Sequence, residues 1–207
     1  MTDTSKIPPI NTAALLREYG LRPDKRLGQN FLQDPDILDK IVRIADVQPD
    51  DTVLEVGPGL GSLTRHLAAT AEAVVAVEFD KRLIEPLGKS LVDYTNTRVV
   101  QGDILAVTPS EIIGASSYIV VANIPYYITS ALLRHLLESS PRPRRMILTV
   151  QQEVAERICV TEKKMSLLAL SVQVYGNPTI AGHIPAGAFY PPPKVDSAII
   201  RIDLFSE

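Results

Sequence analysis

Thr52-Val53-Leu54-Glu55-Val56 runs straight into Gly57-Pro58-Gly59-Leu60-Gly61 and then into Ser62-Leu63-Thr64-Arg65-His66-Leu67-Ala68-Ala69. The β-branched run Thr52–Val56 predicts a short strand, the glycines a turn, and residues 62–69 a helix. Apolar and polar residues do not alternate along the strand. That pattern belongs to a parallel sheet covered by helices on both faces.

The same rhythm continues downstream. Ala73–Val77 predicts a second strand, and Asp80 caps a helix through about Lys89. Strands follow at Arg98–Val100 and Tyr118–Ala122, a helix at Thr129–Glu138, a strand at Arg145–Gln151 and a helix at Glu153–Cys159. Met165–Val174 fits either a helix or a strand, and the helix is favoured because Met165, Leu168, Ala169 and Val172 share one face. Thr179–Ile184 and Ala198–Asp203 are joined by a proline-rich loop without a helix, which makes them antiparallel to one another. Upstream, Asn11 caps a helix over Thr12–Tyr19, and Asp34-Pro35 opens one carrying Ile37, Leu38, Ile41, Val42 and Ala45. The expected fold is α/β: a doubly wound, seven-stranded, mostly parallel sheet with an antiparallel edge. Residues 1–25 form an N-terminal arm with a short helix, and 26–207 the main domain.

Composition narrows the class. The chain has 207 residues, 45% of them apolar and 22% charged, with a formal net charge of −3. Those values describe a globular chain with a core and exclude wholesale disorder. Apolar runs such as Tyr118–Ala122 are far shorter than the roughly 20 residues of a spanning helix. Residues 1–10 lack the apolar core of a signal peptide. Cys159 is the single cysteine, expected to be a small packing residue. A cytoplasmic location, no membrane partner, no metal site and a monomer are the corresponding expectations.

The chemistry gathers where strands end. In an open parallel sheet, ligands bind beyond the carboxyl ends of the strands, near the point where strand order reverses. The glycine spacing here is G-x-G-x-G, not the G-x-G-x-x-G that cradles a pyrophosphate. Glu78 closes the second strand 21 residues after Gly57, where a carboxylate can accept both hydroxyls of a ribose. Together these features predict a nucleoside-containing cofactor. Gly102-Asp103 follows the third strand, and Asp103 is either a turn cap or an acceptor for an adenine amine. Asn123-Ile124-Pro125-Tyr126-Tyr127 follows the fourth strand and faces the same crevice. The Asn123 carbonyl and a nearby main-chain carbonyl can accept both N–H groups of an amine while Tyr126 stacks on a flat ring.

With that last motif the chain resembles the amino-methyltransferases that use S-adenosylmethionine and carry N-[LIP]-P-[YF]. It resembles one family more closely, the ribosomal RNA adenine N6-dimethyltransferases, specifically those of the small subunit. The segments that carry the resemblance are Arg26–Leu32, Glu55–Thr64, Val77–Asp80, Gly102-Asp103, Asn123–Tyr127, Gln152–Ile158 and Phe189–Ala198. The resemblance implies a Rossmann-like methyltransferase with S-adenosylmethionine as methyl donor. Its action would be transfer of methyl groups to the exocyclic N6 of two adjacent adenines in small-subunit rRNA, giving N6,N6-dimethyladenosine. It further implies that Asn30 and Leu32 contact the methionine end of the donor, Gly57 and Gly59 form its cradle, Glu78 holds the ribose and Asp103 the adenine. Asn123 would face donor and target, with Tyr126 and Phe189 sandwiching a flipped adenine. The chain departs from the family pattern at Thr161–Ser166. It also ends at Glu207, where family members continue into a small helical domain, so that domain is expected to be absent.

Holding the amine between two carbonyl acceptors favours a pyramidal nitrogen whose lone pair is free to attack, and no strong base is needed. His66, His135 and His183 are accordingly expected to be ordinary helix or surface residues. Basic residues cluster at Arg17, Arg22, Lys25 and Arg26, and again at Arg134, Arg142, Arg144, Arg145, Arg157, Lys163 and Lys164; some of them are expected to touch phosphates. The alternatives are a large-subunit rRNA adenine methyltransferase of the macrolide-resistance type and a non-catalytic RNA- or DNA-binding relative. A nicotinamide oxidoreductase is disfavoured by the glycine spacing.

Overall fold

The computed structural model describes residues 7–115, 117–161 and 165–206, with the Tyr126 side chain also outside the described residues. In chain order it has α1 (Thr12–Glu18), β1 (Phe31–Leu32), α2 (Pro35–Ala45), β2 (Thr52–Val56), α3 (Ser62–Ala68), β3 (Ala73–Glu78), α4 (Ile84–Ser90), β4 (Thr97–Gln101) and α5 (Pro109–Ile113). It continues with β5 (Ile119–Asn123), α6 (Thr129–Leu137), β6 (Arg145–Gln151), α7 (Gln152–Cys159), α8 (Leu167–Gln173), β7 (Gly176–Ile184), β8 (Phe189–Tyr190) and β9 (Ser197–Leu204).

Local chemistry sets the boundaries. The Asn11 side chain accepts the Ala14 N–H at 3.0 Å. Asp34 accepts the Asp36 and Ile37 N–H groups ahead of Pro35 at the first helical position. Downstream of β3, Asp80 caps a turn of 3-10 helix, Lys81–Leu83, and α4 starts only at Ile84. The single helix expected from Asp80 is therefore split, because the Asp80 carboxylate closes on Arg82 N–H and tightens the first turn.

Seven strands form one sheet in the order β4-β3-β2-β5-β6-β9-β7. β2, β3, β4, β5 and β6 are mutually parallel. β9 runs antiparallel to both β6 and β7, so the expected antiparallel pair closes one edge. The reversed strand, β9, is inserted second from the rim, since no helical crossover separates it from β7. β1 and β8 form a separate two-stranded antiparallel ladder that the sequence pattern did not suggest.

Successive residues of each strand feed opposite cores. Val53, Val74, Ile119, Val121 and Ile147 pack with α2 and α3, whereas Leu54, Val56, Val120 and Leu148 pack with α6, α7 and α8. Both faces being covered is why these strands read as unbroken apolar runs. Cys159 is packed beside the second of these cores, and burial pushes its thiol up to about 11. Strand order reverses between β2 and β5, which leaves a crevice beyond their carboxyl ends.

Candidate active site

A cavity of about 290 Å³ fills that crevice. Its floor is the loop after β2. Gly57 and Gly59 have φ of +70° and +60°, values that L side chains rarely adopt. At Gly59 a Cβ would also meet the Phe31 ring at 3.0 Å. The loop is pinned to Glu78 at the end of β3: Oε2 accepts the Gly59 N–H at 3.0 Å and Oε1 the Asp80 N–H at 2.7 Å. Glu78 is buried, and desolvation raises its pKa against the pull of those two N–H groups. It thus shapes the glycine loop while each oxygen keeps a lone pair for a ligand.

The front wall comes from residues 24–32. Asp24 caps the 3-10 turn Lys25–Leu27, and Gly28 then turns left-handed at φ +61°. Gln29 accepts the Asp24 N–H at 2.7 Å and donates to Asp80 at 2.8 Å, tying the wall to the loop after Glu78. The Asn30 side chain donates to the Gly28 carbonyl at 3.1 Å. Phe31 and Leu32 pair with Tyr190 and Phe189. Neither Gln29 nor Phe31 was singled out as a separate site residue by sequence reasoning, because the structural partners of both are distant in the chain.

Asn123 ends β5 and donates its amide N–H to the backbone carbonyl of Asn30 at 3.1 Å. Residues Asn30, Leu32, Gly57, Gly59, Glu78, Asp103, Asn123 and Phe189 all border this one cavity. Asp103 does so while its carboxylate also accepts the Leu105 N–H at 2.9 Å, so the turn-cap reading holds as well. Phe189 is only 3% exposed and packs with the core beneath β1 and β8; little of its ring is open. Tyr126 begins a 3-10 turn, Tyr126–Ile128, and the structure describes nothing of its ring. Tyr127, exposed at the rim, borders the cavity and has its hydroxyl pushed up in pKa by burial and by the Asp103 charge.

Glu55 was not singled out by the sequence as a separate site residue. It borders the cavity from β2, is 1% exposed, and burial pushes it up to about 8. Its signal, an acidic residue inside an apolar strand, was visible from the start.

The basic clusters are rearranged by the fold. Arg145 opens β6, with Arg144 just before it, at the end of the sheet opposite the cavity. Arg144 is paired with Asp51 at 2.5 Å; Arg145 is paired with Asp203 at 2.6 Å and bonded to the Ala45 carbonyl at 2.9 Å. Arg142 lies over the Tyr175 ring, and Arg134 pairs with Glu138. Arg145 is thereby largely enclosed, with 17% of its side chain exposed, whereas Arg144 keeps 40% of its side chain exposed in a surface ion pair. Lys163 and Lys164 lie outside the described residues. His66 is buried against Asp39 at 2.7 Å, His135 bonds the Val107 carbonyl, and His183 is exposed beside Asp196.

Residues 21–206 match the family model described as "Ribosomal RNA adenine dimethylase". The chain belongs to that family. It is 49% identical over 189 residues to the ribosomal RNA small subunit methyltransferase A of Dehalococcoides mccartyi, covering 91% of this chain and 65% of the relative. The enzyme of the same name from Moorella thermoacetica is 43% identical over 205 residues, covering 94% and 71%. Among solved structures, the 23S rRNA methyltransferase ErmE superposes with a TM-score of 0.78 at 34% identity, covering 86% of this chain and 71% of that one. A dimethyladenosine transferase from Plasmodium falciparum gives 0.77 at 32%, covering 84% and 63%. The chain spans 65% of the length of the Dehalococcoides relative, and the family match runs through every element that borders the cavity.

Proposed function

We propose that this chain binds S-adenosylmethionine in the cavity and transfers methyl groups to the exocyclic N6 of two adjacent adenines in small-subunit rRNA. The observation that carries the reading is the placement of the Asn123 amide, braced by Asn30, on the same cavity as Glu78 and the glycine loop. The cavity fits the donor in kind. Its floor is a loop in which Gly57 and Gly59 hold left-handed φ, the Glu78 carboxylate is available to accept ribose hydroxyls, and no lysine, arginine or histidine borders it among the described residues. S-adenosylmethionine supplies an electrophilic methyl group when bound.

The chain's own residues then do three things. Asn30, Leu32, Gly57, Gly59, Glu78 and Asp103 hold and orient the donor. The Asn123 carbonyl and a main-chain carbonyl near Ile124 accept the two amine N–H groups, which pyramidalises the nitrogen and directs its lone pair. Tyr126 and Phe189 receive the flipped ring; stacking returns about 1–3 kcal/mol per base against a flipping penalty of a few. Alignment of this kind lowers a barrier by roughly 7–11 kcal/mol. A base outside a stable duplex is the favoured target.

The relatives named for the small subunit favour that substrate over large-subunit RNA. The test is incubation with isotopically labelled donor and either small- or large-subunit rRNA, followed by nuclease digestion and mass analysis. N6,N6-dimethyladenosine in the small-subunit sample supports the reading. Label confined to large-subunit RNA would support the macrolide-resistance type, and no transfer to either would overturn both.

A further inference from the structure

Four carboxylates border the cavity, and among the described residues no cation does. Three of the four have other engagements. Asp80 is paired with Arg82 at 2.6 Å, Asp103 is exposed at the rim and caps a turn, and Glu78 accepts two backbone N–H groups. Glu55 differs: it is 1% exposed and its Oε2 has no hydrogen-bond partner among the described residues. A buried carboxyl left without a partner is costly, and more so once ionised.

The groups packed around Glu55 do not relieve it. On β3 and β5 its neighbours are Ala76 and Val121. α3 offers only the Thr64 hydroxyl. Among the described residues, the other ionisable groups around the cavity are Glu78, Asp80, Asp103 and the Tyr127 hydroxyl, none of them positive. Burial above all, with the Glu78 charge adding and Thr64 opposing, keeps the Glu55 carboxyl protonated near neutral pH.

Resting on the donor reading above, we propose that Glu55 is the residue through which the cavity recognises the sulfonium charge of the donor. It holds a proton until the sulfonium-bearing donor is bound, and then loses that proton to solvent. The thioether product, S-adenosylhomocysteine, keeps the α-ammonium that both molecules share but lacks the sulfonium charge, which is the charge that draws the proton off. After methyl transfer the carboxyl retakes a proton, so the spent donor is held less firmly. Glu55 is thus a specificity-determining residue that separates donor from product by charge, whereas the glycine loop and Glu78 hold the parts the two molecules share.

The experiment is calorimetric titration of the 207-residue chain with S-adenosylmethionine and with S-adenosylhomocysteine, each from about pH 6.5 to 8.5, in two buffers of different ionisation enthalpy. For the donor, affinity rises with pH, by up to about tenfold per unit, and close to one proton is released at the acid end. For the product, release is small and affinity nearly flat. Glu55→Gln, of almost the same shape, abolishes proton release and lowers donor affinity at pH 8.5 about tenfold, with less than about a twofold effect on product. Equal proton release for the two ligands, or release that survives Glu55→Gln, overturns the proposal. Should that variant fail to fold, the wild-type comparison of donor with product still decides. Failure of both ligands to bind at any pH would instead sink the donor reading, and this inference with it.

Discussion

The side-chain amide of Asn123 donates to the backbone carbonyl of Asn30 at 3.1 Å, across 93 residues of sequence. A carbonyl only accepts, so the amide nitrogen must be the branch facing Asn30. The acceptor branch, Oδ1, is the one left for an incoming amine. Asn30 is itself held, through its side-chain bond to Gly28, and Gly28 packs near Pro125 and Tyr127. The front wall of the cavity and the acceptor loop are therefore one assembly.

Asn123→Ala removes both the acceptor and its brace. Methyl transfer in a single-turnover assay is expected to fall by about 100-fold or more, the scale of a lost alignment, with the fold intact by circular dichroism. Near-normal turnover would reduce Asn123 to a turn residue.

Glu78→Ala removes the carboxylate that binds the Gly59 and Asp80 N–H groups and is left with lone pairs for a ribose. Donor affinity is expected to drop by about 1.5–3 kcal/mol through lost charge-assisted bonds. NAD binding more tightly than S-adenosylmethionine in the same titration would refute the assignment of the cavity.

Gly59→Ala tests the cradle. The residue sits at φ +60° and its new Cβ would press on the Phe31 ring at 3.0 Å, so a loss of about 1–2 kcal/mol in stability is expected from backbone strain alone. Donor affinity should fall as well, since either the loop or Phe31 must shift into the cavity. Unchanged affinity and unchanged denaturation midpoint would show that the loop tolerates a side chain.

Stability should decline as pH rises through the window between about 4.5 and 8. Glu55 ionises at about 4.5 when exposed but at about 8 in the folded protein. Within that window the folded state keeps a proton the unfolded state has lost, and stability therefore falls with pH. Glu78, also raised, acts in the same direction. Glu55→Gln should flatten this slope in urea unfolding at pH 5 and pH 8; a slope that persists unchanged would contradict the burial argument.

Arg145→Ala should act on folding and not on RNA. The guanidinium is 17% exposed and bonded to Asp203 and the Ala45 carbonyl, so its loss is expected to cost about 1–3 kcal/mol. RNA affinity per folded molecule, measured by filter binding, should not change. A selective loss of RNA binding would return this arginine to the phosphate-contacting set.

The sequence determined the sheet, most of its helices and the residues at the strand ends. Buried parallel strands write themselves as unbroken apolar runs, and Asn11, Asp34 and Pro35 announce helix starts through local hydrogen-bond needs. Gly57, Gly59, Glu78, Asp103 and Asn123 were legible for the same reason: each follows or closes a strand whose end must face the crevice. Tertiary structure decided what depends on partners remote in the chain. The β1–β8 ladder joins two-residue strands too short to carry a pattern, and Gln29 becomes a tie only because Asp80 is folded against it. Arg144 and Arg145 read in the sequence only as part of a charge cluster; their place at the far end of the sheet and their carboxylate partners exist only in the fold. Glu55 could be seen as an acidic residue in an apolar strand, but its missing partner and its raised pKa exist only once the surrounding strands have excluded water.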